Sequence, residues 1–187
     1  TEIAATMAFS ATQNNDKIGL ILFSDTIEFY IPPKKGRSHV LRIIRELIEF
    51  EPKSNKTDLA QALKFLSGTQ KKKAIVFVLS DFMTPDYKDT LRIVSRKHDV
   101  TGIRIYDQSE AELPQIGLVE MQDQETGQRI LVQTGSKKAQ RAYQEHYQDT
   151  VERFRSTFNK SGAGTIDCEI NESYVKKLLG YFKTRGR

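Results

Sequence analysis

Only one cysteine, Cys168, occurs in the 187 residues, so no internal disulfide framework can hold this fold together. A lone thiol suits a reducing compartment. Cys168 sits in the alternating stretch TIDCEI at residues 165–170, where a buried structural thiol is expected rather than a nucleophile. Long apolar runs are missing as well, the longest falling far short of the ~20 residues that span a bilayer. No basic-then-apolar leader opens the chain. These absences set the expectation of a cytoplasmic protein with no membrane segment. The opening residues TEIAA already read as the inside of a helix, so a further segment upstream is expected.

Charge of one sign is not concentrated anywhere. Twenty-nine basic residues face 24 acidic ones, a net +5, and the two signs are mixed along the chain. Nucleic-acid binders show a basic footprint interleaved with stacking aromatics. Lys34-Lys35-Gly36-Arg37, Lys71-Lys72-Lys73 and the basic tail read more simply as solvated faces, so no nucleic-acid partner is expected. The common catalytic signatures are absent too: no GxGxxG, Walker loop, HExxH, GxSxG or paired CxxC. His39, His98 and His146 lie far apart on predicted helices and read as surface residues.

What is present is a pattern of short apolar runs separated by amphipathic segments. The chain is organised around KKKAIVFVLSD at residues 71–81, whose apolar run 74–79 reads as a strand buried on both faces. Residues 18–23, IGLILF, read as a second buried strand. Residues 26–31 read as a half-exposed strand returning beside it and ended by Pro32-Pro33. Helices are expected over 1–14, over 38–50 with Ser38 as cap, over 59–66 and over 87–97. A strand at 99–106 follows. Residues 107–134 read as an appended β-hairpin, 138–159 as a long helix with Tyr143, Tyr147, Val151, Phe154 and Phe158 toward the core, 165–170 as a last strand and 174–183 as a last helix. Strand, helix, strand with short connections predicts one α/β domain over residues 1–187, built on a parallel sheet.

Ligands of such sheets gather outside the carboxyl ends of the strands. Thr57, before a helix, and Ser80-Asp81, ending the central run, are the polar residues placed there. A hydroxyl and a carboxylate are hard oxygen donors suited to Mg²⁺ or Mn²⁺, though two are too few to hold a metal well.

The phrases NNDKIGLILFSDTIEFYIPPKKGRSHVLRIIREL, KTDLAQAL and KKKAIVFVLSDF, followed by KHDV and by ELP, IG and DQETG, resemble the bacterial family called domain of unknown function 58, or DUF58. That family is similar to von Willebrand factor A domains. The resemblance implies a Rossmann-type, doubly wound, mainly parallel sheet with helices on both faces and a metal-ion-dependent adhesion site at the carboxyl rim. In that site an Asp-x-Ser-x-Ser loop supplies most ligands, with a Thr and an Asp from two further loops. Thr57 and Asp81 match those last two positions.

The Asp-x-Ser-x-Ser loop and the strand before it are not in this sequence. In the A-domain pattern that strand lies between the strands at 18–23 and 74–79. The resemblance therefore implies an incomplete metal site that binds no metal or binds it only weakly, and two neighbouring strands that pair with each other, borrow a strand from another copy, or leave unsatisfied edges prone to self-association. It also implies a non-catalytic protein-interaction module that works with a MoxR-type AAA+ ATPase in assembling or remodelling protein complexes. The partner-facing residues would be Thr57, Ser80, Asp81 and Phe82. The competing reading is a metal-dependent hydrolase using the same rim, which needs a general base or nucleophile near the metal.

Overall fold

Where the apolar runs fall, strands form, and where apolar residues recur every three or four positions, helices form. The computed structural model describes every residue except 85, 123–128, 186 and 187. The chain opens with α1 (Glu2–Gln13), followed by β1 (Ile18–Phe23) and β2 (Ile27–Lys34), which pair antiparallel. Next come α2 (Arg37–Glu49) and α3 (Leu59–Thr69). Then β3 (Ile75–Ser80), α4 (Lys88–Lys97) and β4 (Asp99–Tyr106) form a strand–helix–strand unit whose two strands are parallel. After the hairpin β5 (Leu118–Gln122) and β6 (Arg129–Gln133), the long helix α5 (Lys137–Lys160) leads to β7 (Gly164–Glu169) and α6 (Tyr174–Arg185).

β3, β4 and β7 form one parallel sheet with β4 in the middle. Strand alternation divides its side chains between two cores. Val78 and Val100 point to one face, where they meet Leu59 and Leu63 of α3, Leu91 and Val94 of α4, and Phe154 and Phe158 of α5. Ile103, Ile166 and Cys168 point to the other, against Ile3 of α1 and Leu178 of α6. Helices thus cover both faces, a Rossmann-like α/β arrangement. The buried Cys168 thiol is pushed above its ordinary pKa by desolvation. No helix among the described residues is long and apolar enough to cross a membrane.

Gly102 in β4 is where α5 comes closest. A Cβ there would stand 2.6 Å from the Phe158 ring and 2.8 Å from the Phe154 ring. Glycine lets two phenylalanines lie directly on the sheet.

The structure corrects several expectations. β3 is not buried on both faces: Ile75 is 67% exposed and Val78 alone is fully buried, because β3 pairs only with β4 among the described residues. The middle strand is β4, where Val100 to Arg104 are all buried. Among the described residues β1 and β2 pair with no strand but each other, as a ribbon in contact with α2 and α3, and not with the three-stranded sheet. β2 runs through Pro32 and Pro33 to Lys34 rather than ending at them. An edge strand tolerates proline because the outward N–H is not needed for pairing. Helix α2 begins behind Gly36, whose φ of 107° suits glycine alone, so Ser38 lies inside the first turn and caps nothing. The hairpin β5–β6 is a sheet of its own; its joining turn, around residues 124–127, lies outside the described residues.

His98 also departs from its surface assignment. It ends α4 at 3% exposure, and neither ring nitrogen has a hydrogen-bond partner among the described residues. Burial first, and Lys97 second, lower its pKa below the ordinary 6.5. The unfolded chain therefore takes up a proton near pH 6.5 that the folded chain refuses. Stability is expected to fall as pH drops below about 6.5, and His98→Leu is expected to flatten that part of the profile, read by urea denaturation at pH 7.5 and pH 5. Parallel profiles for the two proteins would show that His98 carries none of the dependence.

Candidate functional site

The loop after β3 is turned by one residue. Phe82 has a φ of 60°, a left-handed conformation that costs a bulky side chain of order 1–3 kcal/mol. Packing holds it there. The ring is 1% exposed, stacks on Phe154 at 4.2 Å and meets Phe158 edge-on at 5.2 Å. Local hydrogen bonds complete the turn: the Ser80 hydroxyl donates to Asp81 Oδ1 at 3.3 Å and accepts from the Phe82 N–H at 3.0 Å. The Met83 N–H donates to the same Asp81 Oδ1 at 3.0 Å. With Phe82 driven inward, Asp81 and Met83 are left facing solvent.

Two contacts link this loop to the loop before α3, and that loop to the one after β1. The Thr84 hydroxyl donates to the Thr57 carbonyl at 3.0 Å. The Asp58 N–H donates to the Ser24 carbonyl at 2.9 Å, while the Asp58 carboxylate accepts from the Gln61 N–H and caps α3. The loops after β1, before α3 and after β3 are therefore fastened into one rim. It carries Thr57, Ser80 and Asp81. Phe82 does not belong on that surface: a buried ring cannot meet a partner, and the exposed apolar side chain beside Asp81 is Met83.

As a metal site the rim is thin. Among the described residues no group of three or more His, Cys, Asp or Glu side chains could hold an ion. One oxygen of Asp81 already accepts two hydrogen bonds, so Asp81 and Thr57 alone do not fit a divalent cation that needs six or more donors.

Beside the rim lies a cleft of about 220 Å³, lined by Asp81, Met83, Arg104, Tyr106, Tyr143 and Tyr147 among others. It continues into a wider hollow that shares Arg104, Tyr106 and Tyr147 and reaches Arg155. The strand register builds it. Ser80 of β3, Arg104 of β4 and Asp167 of β7 stand side by side in the sheet, on the face that α5 covers. Arg104 Nε donates to Asp167 Oδ1 at 2.6 Å, and Nη1 donates to the Tyr147 hydroxyl at 3.2 Å. The guanidinium lies 4.0 Å over the Tyr106 ring. Arg155 of α5 holds the other Asp167 oxygen, from Nη2 at 2.8 Å and Nε at 3.1 Å. Desolvation works against the charge on Arg104, but Tyr147 and Asp167 outweigh it and its pKa is raised. Burial, with Glu110 and Tyr147 nearby, raises that of Tyr143.

Sequence reasoning passed over this cluster. Its signal was a charged residue flanked on both sides by apolar ones within each of two strands, Arg104 in IRI and Asp167 in IDC. Only the pairing of β4 with β7 makes the two one feature.

Fold and rim together define a mixed α/β protein of Rossmann-like arrangement with a loop-built surface at the carboxyl ends of its strands. The chain belongs to the DUF58 family of proteins of unknown function, whose model it matches over residues 1–153. Uncharacterized proteins of Mycobacterium bovis and Mycobacterium tuberculosis are each 27% identical over 127 residues, 66% of this chain and 40% of theirs. The chain therefore spans less than half the length of those relatives. An uncharacterized protein of Mycobacterium avium is 26% identical over 164 residues, 84% of this chain and 94% of the relative. Two solved structures share the fold at 14% identity. One is the conserved hypothetical protein BatB from Bacteroides thetaiotaomicron, with a TM-score of 0.54 over 95% of this chain and 83% of that one. The other is an aerotolerance-related membrane protein from Bacteroides fragilis carrying multiple mutations to serines, with a TM-score of 0.53 over 95% and 84%.

Replacing Phe82 tests how the rim is held. Phe82→Ala is expected to cost about 3–5 kcal/mol in chemical denaturation, as a buried ring's removal does. Asp81→Ala, an exposed change, is expected within ~0.5 kcal/mol of the parent. Equal effects would mean that the ring does not anchor the loop.

Proposed function

We propose that this chain is a von Willebrand factor A-like interaction module that docks a protein partner at the three-loop rim and performs no catalysis. The observation that carries the reading is the fastening of the loops after β1, before α3 and after β3 into one surface that presents Asp81 and Met83 to solvent. Loops placed by a rigid scaffold are where recognition concentrates. The partner is a MoxR-type AAA+ ATPase, and the role is the assembly or remodelling of protein complexes. Thr57, Ser80 and Asp81 form the polar part of the contact, and Met83 takes the place first given to Phe82.

The same reading accounts for the divided sheet. In an A-type arrangement one further strand, which precedes the first helix, lies between β1 and β3 and brings an Asp-x-Ser-x-Ser loop to the rim. Completed in that way, the rim would hold Mg²⁺ or Mn²⁺ with Thr57 and Asp81 among its ligands. Support comes from β1 and β3, two strands of apolar composition that each pair on one edge only among the described residues.

Unpaired apolar edges seek partners. The 187-residue chain by itself is expected to associate, with a mass by light scattering that rises with concentration. A strictly monomeric chain would count against the strand gap.

For the partner, titration calorimetry with the ATPase is expected to show binding that Asp81→Ala and Met83→Ala each weaken about tenfold, or ~1.4 kcal/mol. His146→Ala, on the exposed side of α5, is expected to leave it unchanged. No binding would sink the interaction reading. Turnover of a phosphate ester by the Mn²⁺-loaded protein would replace it with a hydrolase acting at the same rim.

A further inference from the structure

The hairpin β5–β6 carries apolar side chains on both of its faces. Strand alternation and the register put Val119, Met121, Ile130 and Val132 on one face, and Leu118 and Leu131 on the other beside Glu120 and Gln133. Leu131 is 71% exposed, Leu118 65% and Ile130 54%. Among the described residues β5 and β6 pair with no third strand. A two-stranded hairpin is marginal in water unless further strands or a helix complete it. These exposed apolar residues therefore need a covering surface.

The backbone identifies the edge that would take it. The Thr134 N–H donates to the Gly117 carbonyl at 2.8 Å, and bonded pairs alternate along an antiparallel ladder. Ile130 and Val132 therefore turn their peptide groups toward β5, while those of Arg129, Leu131 and Gln133 point out of the hairpin. An antiparallel copy of β6, laid on that edge and centred on Leu131, sets Leu131 opposite itself, Ile130 opposite Val132 and Arg129 opposite Gln133. Apolar meets apolar, and no like charges face each other. Arg129 is already matched to Glu120 within its own hairpin, at 3.5 Å. β5 lacks this self-complementarity, since the same operation about its middle residue would set Glu120 against Glu120.

We propose that β6 is a self-association edge, and that its occupant is β6 of a second copy of this chain, related to the first by a twofold axis at Leu131. The two hairpins become one four-stranded sheet, with Val119, Met121, Ile130 and Val132 of both copies on one face. The proposal rests neither on partner docking at the rim nor on the gap between β1 and β3, because no residue of those regions takes part.

The test is sedimentation equilibrium of the 187-residue chain and of three variants at exposed positions. The parent is expected to form a dimer. Leu131→Lys and Leu131→Glu each set like charges across the axis, and each is expected to weaken dimerisation at least tenfold. Mixed in equal amounts, the two are expected to recover a dimer, because opposite charges then face each other. Recovery in the mixture shows that the loss does not come from damage to the fold. Ile116→Lys, at a similarly exposed apolar position before β5, is expected to leave the dimer unchanged. A monomeric parent would overturn the proposal, and so would a mixture that stays monomeric or an equal loss with Ile116→Lys. Association that survives both Leu131 variants would also overturn it, and would point to the edges of β1 and β3 instead.

Discussion

Four aromatic rings and one missing Cβ hold the middle of this molecule together. Phe154 and Phe158 of α5 lie on β4 because Gly102 leaves them room, and Phe82 and Tyr87 close around them. These four rings reach into the loop after β3, the start of α4 and the last third of α5. Aromatic pairs of this kind add about 0.5–1.5 kcal/mol each beyond the area they bury. The contribution here goes beyond stability. The left-handed turn at Phe82, unfavourable by itself, becomes the conformation that fills the core, and Asp81 and Met83 are turned outward as a consequence.

A second constraint is ionic. Burying Arg104 in a sheet carries a desolvation cost that one well-placed carboxylate offsets only with help. Asp167 supplies the carboxylate because residue 104 of β4 and residue 167 of β7 are in register. The helix over them adds the Tyr147 hydroxyl and Arg155. The arrangement is therefore intolerant of register slip: a shift by one residue would turn Arg104 into the apolar face shared with α1 and α6.

Against these two well-determined features stands the divided sheet. β1 and β3 have the composition of strands meant for the inside of a sheet, and each is placed with one edge unpaired by any described strand. α3 lies against the β1–β2 ribbon and also packs on the core that contains Val78, so helix packing rather than strand pairing connects the two parts.

Local pattern determined most of the elements. Of the residues whose spacing marked the core face of α5, Phe154 and Phe158 are buried in the core while Tyr143, Tyr147 and Val151 line the cleft, and β4 spans residues 99 to 106, where the strand pattern placed it. Ser80 and Asp81 were legible as the end of an apolar run, and Thr57 as a loop residue before a helix. Period alone, however, cannot say whether an apolar strand has a neighbour on each side. That is why β3 read as central and is an edge. Nor can it say which way a residue points when a turn is strained, so Phe82 read as a surface residue and is a core one. His98 read as a surface residue too, and is buried at the junction where α4 ends and β4 begins. Arg104 and Asp167 are 63 residues apart, and only tertiary pairing of two strands makes them a site. Sequence determined what each segment is; the tertiary structure decided which segments meet, because strand register and helix docking are set by contacts between residues far apart in the chain.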